Sequence, residues 1–114
     1  MRRLDLTKYM ITQEVVNQKN PFEPLKIEIP YNLKDSIIAL MFIPELKLSG
    51  LELLKQNALA LKIEGCKEGC IMLEETEWER IKRAVDTFQG FTRKDVGLVE
   101  RVTNAEQIDI NNRG

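Results

Sequence analysis

The chain of 114 residues contains no histidine and only two cysteines. It therefore lacks the commonest general base, the commonest nitrogen ligand for metals and any Ser-His or Cys-His catalytic pair. No acidic residue stands in an apolar stretch that would favour its protonated form, and most acids fit helix caps or helix surfaces. We predict no catalytic, cofactor-binding or metal-binding residue, and we expect a protein that is not an enzyme.

The two cysteines, Cys66 and Cys70, lie in a polar loop that glycine interrupts. A tetrahedral zinc site needs about four ligands, and the chain has no second cysteine pair to complete one. Dithiol redox motifs have two residues between their cysteines, whereas this loop has the three residues Lys-Glu-Gly. We interpret the loop as structural, with a zinc site shared between two chains as the alternative.

Phosphate-binding glycine motifs and long apolar runs are also lacking. The 6 glycines form neither GxGxxG nor GxxxxGK[ST], so we predict no nucleotide and no other small-molecule ligand. No apolar run approaches the ~20 residues of a membrane helix, and the amino terminus lacks the apolar segment of a secretory signal. We expect a cytoplasmic protein without membrane association.

The net charge of the chain is close to zero. The 17 basic and 18 acidic residues give a formal charge of −1, without the positive excess of a nucleic-acid-binding domain.

The composition of the chain is that of an ordinary globular domain, with 43% hydrophobic and 31% charged residues. We predict one domain over residues 1–114, with a β-hairpin at 8–30, a helical part at 32–104 and a tail at 105–114. The hairpin is predicted from two alternating segments, residues 8–16 and residues 25–30. No element is assigned to residues 1–7. We expect Ile108 and Ile110 to pack or pair locally and the last four residues to fray.

Four segments have the pattern of a helix start, a cap residue followed by an acid three positions later. The pairs are Asn32 with Asp35, Ser49 with Glu52, Thr76 with Glu79, and Thr92 with Asp95. Pro44, Gly65 and Gly90 are the predicted helix ends. Apolar residues at helical spacing are expected to face the core in each helix: Leu33, Ile37, Leu40 and Met41; Leu51, Leu54, Ala58 and Leu61, broadened by Leu53, Leu59 and Ile63; Trp78, Ile81, Val85 and Phe88; Val96, Val99 and Val102 with Leu98 beside them.

These elements predict an α+β fold, in which an N-terminal antiparallel β-hairpin packs on a cluster of four short helices. The short apolar segment at residues 70–73 is either a brief third strand or an extended connector.

Three phenylalanines are candidate interaction residues. Phe22 stands between prolines in the hairpin loop, Phe42 is off the apolar stripe near a helix end, and Phe91 follows a helix stop. Apolar residues at such positions either fold back onto the domain or contact a partner. Exposed strand edges are also templates for pairing between chains. We predict a non-enzymatic protein-interaction module that acts as an oligomer, or with another protein, through the hairpin edge or these aromatics.

A helix-turn-helix regulator is the alternative. The third and fourth helices would form it, and residues 92–102 would read nucleic acid through Arg93, Lys94 and Arg101. Asp95 and Glu100 on the same helix, and the absence of a basic surplus, count against it.

The segments IPYNLKDSIIALMFIPELKLSG, LEETEWERIKRAVDTFQGF and DVGLVERV resemble small uncharacterised proteins of bacteriophage and prophage type. The resemblance covers residues 29–102 and consists of helix spacing and style, so it transfers no functional residue. It implies a viral protein that assembles particles or binds a host component, present in the host cytoplasm or in the virion.

Overall fold

The structure is a computed structural model that describes residues 1 to 108. The strands are β1 (Arg2–Asp5), β2 (Met10–Val15), β3 (Leu25–Pro30), β4 (Cys70–Leu73) and β5 (Glu106–Gln107), and the helices are α1 (Leu33–Met41), α2 (Gly50–Gly65), α3 (Glu75–Thr87) and α4 (Val96–Thr103). Short 3₁₀ turns at Pro44–Leu46 and Arg93–Asp95 precede α2 and α4. The predicted α+β class, with its N-terminal hairpin and four helices, is confirmed. In the described range no helix is both long and apolar enough to cross a membrane.

The described strands form two antiparallel sheets. β2 and β3 form a two-stranded hairpin in which Met10 pairs with Pro30 and Val15 with Leu25. The second sheet has the order β4-β1-β5. The third strand predicted at residues 70–73 is therefore present, and it belongs to a sheet separate from the hairpin.

The two ends of the chain contribute strands that the sequence analysis missed. In β1, Leu4 is buried between the exposed Arg3 and Asp5, and the buried Leu6 follows, an alternation that could have indicated a strand. The assignment of residues 105–114 to a tail was wrong at its start, because β5 pairs with the open side of β1. Ile108 donates its N–H to the carbonyl of Met1 at 2.7 Å, a distant pairing in place of the expected local one. Ile110 and the last four residues lie outside the described residues.

α1, α3 and α4 bury most of the apolar residues that their spacing indicates. All four predicted residues of α1 are buried, as are Ile81 and Val85 of α3 and Leu98 and Val102 of α4. Trp78, Phe88 and Val99 are partly buried against the core, and Val96 is exposed at the start of α4. Together with α2, β1 and β4, these helices enclose the hydrophobic core.

The predicted start of α3 at Thr76 and Glu79 was wrong by two residues. The capping box uses Glu74, whose side chain accepts the N–H of Glu77, while the Glu77 carboxylate accepts the Glu74 N–H at 2.8 Å. β4 ends at Leu73, so the chain turns into the helix at once. Two glutamates form the box in place of a threonine and a glutamate.

The hairpin extends away from the helical body. The molecule measures 60 × 38 × 23 Å along its principal axes, with a radius of gyration of 17.0 Å, where a compact domain of this length would have about 13 Å. β2 and β3 make most of their contacts with each other. The hairpin contacts the body chiefly at its base, through Tyr9, Ile11 and Tyr31.

Candidate functional site

Two stacked tyrosines anchor the base of the hairpin to the body. The rings of Tyr9 and Tyr31 are nearly parallel, at 11°, and their centroids are 4.8 Å apart. The Tyr9 hydroxyl donates to the carbonyl of Lys94 at 3.0 Å and accepts the N–H of Leu98 at 3.2 Å. Gly97 lies directly under this ring, where a Cβ atom would be only 2.8 Å from Tyr9 Cζ. The hairpin is therefore fixed to the start of α4.

Tyr31 strengthens this joint through a charged hydrogen bond. Its hydroxyl donates to Asp95 Oδ1 at 2.5 Å. Burial raises the pKa of Tyr31, and the hydrogen bond to the Asp95 carboxylate raises it further. Partial burial alone would raise the pKa of Asp95, but the hydrogen bonds from Tyr31 and Thr92 outweigh it, so this pKa is lowered. In the sequence, Tyr9 lies in the first alternating segment and Asp95 lies at a predicted helix cap, and no local pattern links residues so far apart.

Beyond its base, the hairpin has one apolar and one polar face. The strand register places Ile11, Gln13 and Val15 of β2 opposite Ile29, Ile27 and Leu25 of β3. Side chains of directly paired residues share a face, so five of these six positions form an apolar surface. Leu25 is 50% exposed and Ile27 is 42% exposed. The described part of the chain leaves this apolar face open at the outer half of the hairpin.

The free edges of the hairpin differ. Tyr31 donates its N–H to the carbonyl of Tyr9, so the odd-numbered residues of both strands direct their backbone groups inward and the even-numbered ones outward. On β2 the outward residues are Met10, Thr12 and Glu14, all exposed. None of the other backbone hydrogen bonds in the described range uses them. On β3 one outward position is Pro30, which has no N–H to donate. β2 therefore offers the more complete edge.

The three candidate phenylalanines lie in different environments. Phe22 is 92% exposed in the loop that connects β2 and β3. Phe42 is the C-cap of α1 and is 36% exposed. Phe91 folds back onto the domain, where its ring meets Phe88 edge to face at 4.8 Å and helps to line a cavity of about 260 Å³. Of the three, Phe22 is the most available to a partner, and it belongs to the hairpin.

The main apolar stripe predicted to be the buried face of α2 was wrong, although Leu59 and Ile63, which were expected to broaden it, are buried. Leu51, Leu54 and Leu61 are 63%, 68% and 59% exposed, and the core instead contains Gln56, Leu59, Ala60 and Ile63 from the opposite side. The physical reason is visible at Gln56. Its Nε2 donates to the carbonyl of Met41 at 2.9 Å, and its Oε1 accepts from Arg80. No pattern in the sequence indicates that this glutamine joins three helices.

The residues of the predicted nucleic-acid helix do not share a helical surface. Arg93 and Lys94 are exposed, but they lie in the 3₁₀ turn before α4. Arg101 lies in α4 itself, where it donates to the carbonyl of Thr7, pairs with Asp5 at 3.6 Å and covers the Tyr9 ring at 5.0 Å. Its guanidinium is thus engaged within the fold, on the same tyrosine that anchors the hairpin.

The two cysteines and a polar cavity beside Asp5 were considered as possible chemical sites. Both thiols are free and half-buried, and Cys66 donates to the carbonyl of Cys70 at 3.4 Å. No cluster of three or more metal-binding side chains occurs among residues 1 to 108. Asp5 and Arg101 line a polar cavity of about 730 Å³. Hydrogen bonds from Thr7 lower the pKa of Asp5, whereas a general acid working near neutral pH needs a raised one.

Comparison of the chain with models of protein families, with curated proteins and with solved structures gave no match.

Proposed function

We propose that this protein is a protein-interaction module that acts as an oligomer and associates through its projecting β-hairpin. The observation that supports the proposal is the open apolar face, on which Leu25 and Ile27 remain about half exposed. A two-stranded hairpin is marginally stable in water unless a further strand or a packed surface covers its apolar face. The body covers only the base of this hairpin, so the outer half is left for another chain.

The energetic gain from covering this face is moderate. The exposed fractions of Leu25 and Ile27 together amount to about one whole side chain. Burying one such side chain contributes about 1.5–3 kcal/mol per protomer. Because association costs at least several kcal/mol, the apolar face needs additional contacts, such as strand pairing or Phe22, to give a lasting complex.

The anchored base makes the hairpin suitable for recognition. The stacked tyrosines and the hydrogen bond to Asp95 fix the strands against α4. A surface that is fixed before binding loses less conformational entropy when the complex forms. The hairpin can therefore present its apolar face in a constant orientation.

The test is the molar mass in solution, measured by light scattering after size exclusion over a wide range of protein concentration. We expect the wild-type mass to rise above the 13.2 kDa of one chain. The Leu25→Lys/Ile27→Lys variant should have a lower mass than the wild-type protein at the same concentration, because lysines on the apolar face would have to lose their hydration when another chain covers it. Glu28→Lys is the matched control on the polar face of β3, and it should keep the wild-type mass.

A wild-type protein that stays at 13.2 kDa at every concentration would contradict the proposal. An unchanged mass for Leu25→Lys/Ile27→Lys would show that association uses a different surface. Circular dichroism of both variants checks that the helical body remains folded.

A role in phage assembly stays a prediction from the sequence resemblance. The nucleic-acid alternative loses one of its three contacts, because Arg101 is engaged with Asp5 and Thr7. It predicts salt-dependent binding that is lost in Arg93→Ala/Lys94→Ala, and unchanged affinity in that variant would remove it.

A further inference from the structure

The exposed edge of β2 carries a row of backbone groups suited to pairing with another strand. Met10, Thr12 and Glu14 direct their N–H and C=O groups away from β3, and all three residues are exposed. Unpaired edge groups of this kind are templates for an added strand. The opposite edge is weaker, because Pro30 removes one donor and Pro24 directly precedes β3.

We infer that two copies of the chain join their β2 edges antiparallel, around a two-fold axis that passes at Thr12. This inference rests on the proposed function, and it identifies the partner as a second copy of the same chain. The result is a continuous four-stranded sheet in which the two hairpins lie side by side. A symmetric contact of this type closes at the dimer and leaves the outer β3 edges with their prolines.

The position of the axis follows from the three outward residues. An axis at Thr12 pairs Thr12 with Thr12 of the partner subunit and Met10 with Glu14 of the partner subunit. Every outward residue then faces another outward residue, which gives roughly six hydrogen bonds between the chains. An axis moved by one residue, to Ile11 or Gln13, pairs Met10 or Glu14 with a residue outside this set.

The charges are compatible with this register. Glu14 faces an uncharged Met10 across the interface and lies diagonal to Lys8 of the partner subunit, which is within reach of a long side chain. An axis at Gln13 would instead make the two Glu14 residues diagonal neighbours. Like charges on neighbouring strands are unfavourable, so the charges favour the Thr12 register over the Gln13 register.

The apolar faces also become continuous. In this register Val15 lies opposite Tyr9 of the partner subunit, and Ile11 lies opposite Gln13 of the partner subunit, all on the apolar side of the sheet. Three or more strands with a hydrophobic face reach the size at which a sheet is stable in water. Pairing at the edge thus supplies contacts between the chains in addition to the apolar face, and Leu25 and Ile27 on the outer β3 strands stay open for the face contact of the proposed function.

Cysteine cross-linking tests the register directly, in a Cys66→Ser/Cys70→Ser background that is first shown to keep the wild-type mass. Paired residues in a hydrogen-bonded position have Cα atoms about 5.5 Å apart, within disulfide range. With diamide as the oxidant, Thr12→Cys should form a covalent dimer on a non-reducing gel. Glu14→Cys is the matched control on the same strand and face, and it should form no covalent dimer on the gel.

Amide exchange measured by NMR gives a second readout that needs no substitution. As the protein concentration rises, the N–H groups of Met10, Thr12 and Glu14 should exchange at least tenfold more slowly. The outward amides of Lys26 and Glu28 on β3 are the internal controls, and they should not change.

The failures of the two proposals are distinguishable. A mass above the monomer without cross-linking at Thr12, or with cross-linking at a Gln13→Cys variant instead, would overturn this inference and leave the interaction module standing. Concentration-dependent protection at Lys26 and Glu28 would move the contact to β3 and also overturn it. A strictly monomeric wild-type protein would overturn both.

Discussion

The helical body and the hairpin differ in how completely they bury their apolar side chains. Ile37, Ile63 and Leu98 of the body are fully buried by residues of the same chain. The outer apolar residues of the hairpin, Leu25 and Ile27, remain about half exposed. The body therefore buries its apolar side chains within the same chain, whereas the hairpin is held mainly by its own strand pairing and its anchor. Substitutions in the body should therefore change the free energy of unfolding, whereas substitutions in the hairpin should mainly change association.

The largest effect is expected in the body. Ile37→Ala would remove methylene groups from a fully buried position in α1 and leave a cavity, which costs about 2–5 kcal/mol of unfolding free energy. Ile27→Ala in the hairpin should cost less than about 1 kcal/mol, because its side chain is already 42% exposed. Urea denaturation followed by circular dichroism measures both. Equal losses would contradict the contrast between the regions.

The joint between the regions should give the next largest effect. Gly97→Ala would place a Cβ atom 2.8 Å from the Tyr9 ring, which the stacking on Tyr31 and two hydrogen bonds hold in place. Overpacking of this kind costs about 1–3 kcal/mol. Gly50→Ala is the matched control, since no atom lies within 4 Å of its added Cβ. We expect thermal denaturation to show a loss for Gly97→Ala and no loss for Gly50→Ala.

The hydrogen bond between Tyr31 and Asp95 should make this joint dependent on pH. Asp95 has a lowered pKa in the folded protein, so its stabilising effect is present above the ordinary value of 3.8 and is lost as the pH falls below it. Tyr31 has a raised pKa, so its contribution is complete below pH 10.0 and is lost at higher pH. Tyr31→Phe should cost about 1–2 kcal/mol near neutral pH.

Denaturation midpoints measured from pH 3 to pH 11 check this dependence. The wild-type protein should lose stability at both ends of the range, and Tyr31→Phe should lose less at each end. Parallel curves for the two proteins would show that the pair does not control the pH response.

The sequence predicted the elements better than it predicted their faces. Local patterns identified four helices and the hairpin, because caps and alternation act over a few residues. The pairing of β1 with β4 and β5 joins residues 65 to 105 positions apart, which no local pattern records. The hairpin edge was predicted as an interaction surface, but the Tyr9, Tyr31 and Asp95 joint that orients it depends on the tertiary fold.

α2 shows why a hydrophobic stripe is an incomplete guide. The helix has two apolar stripes, and the more regular one, with Leu51, Leu54 and Leu61, faces outward. Helical spacing cannot tell which stripe meets the core when both exist. The choice depends on Gln56, which bonds to Met41 and Arg80 from the inner side. A buried glutamine with both amide ends bonded fixes the orientation of the helix.

The smallest effect is therefore expected where the sequence alone predicted a large one. Leu54→Lys/Leu61→Lys changes residues that would be central to a buried stripe, yet both are more than half exposed. The unfolding free energy should change by only about 0.5 kcal/mol or less, since exposed sites tolerate substitution. Leu59→Lys on the inner stripe is the matched control and should unfold the protein. If the hairpin is the contact between copies, the outer variant also keeps the wild-type mass, whereas a loss of association would place the interface on α2.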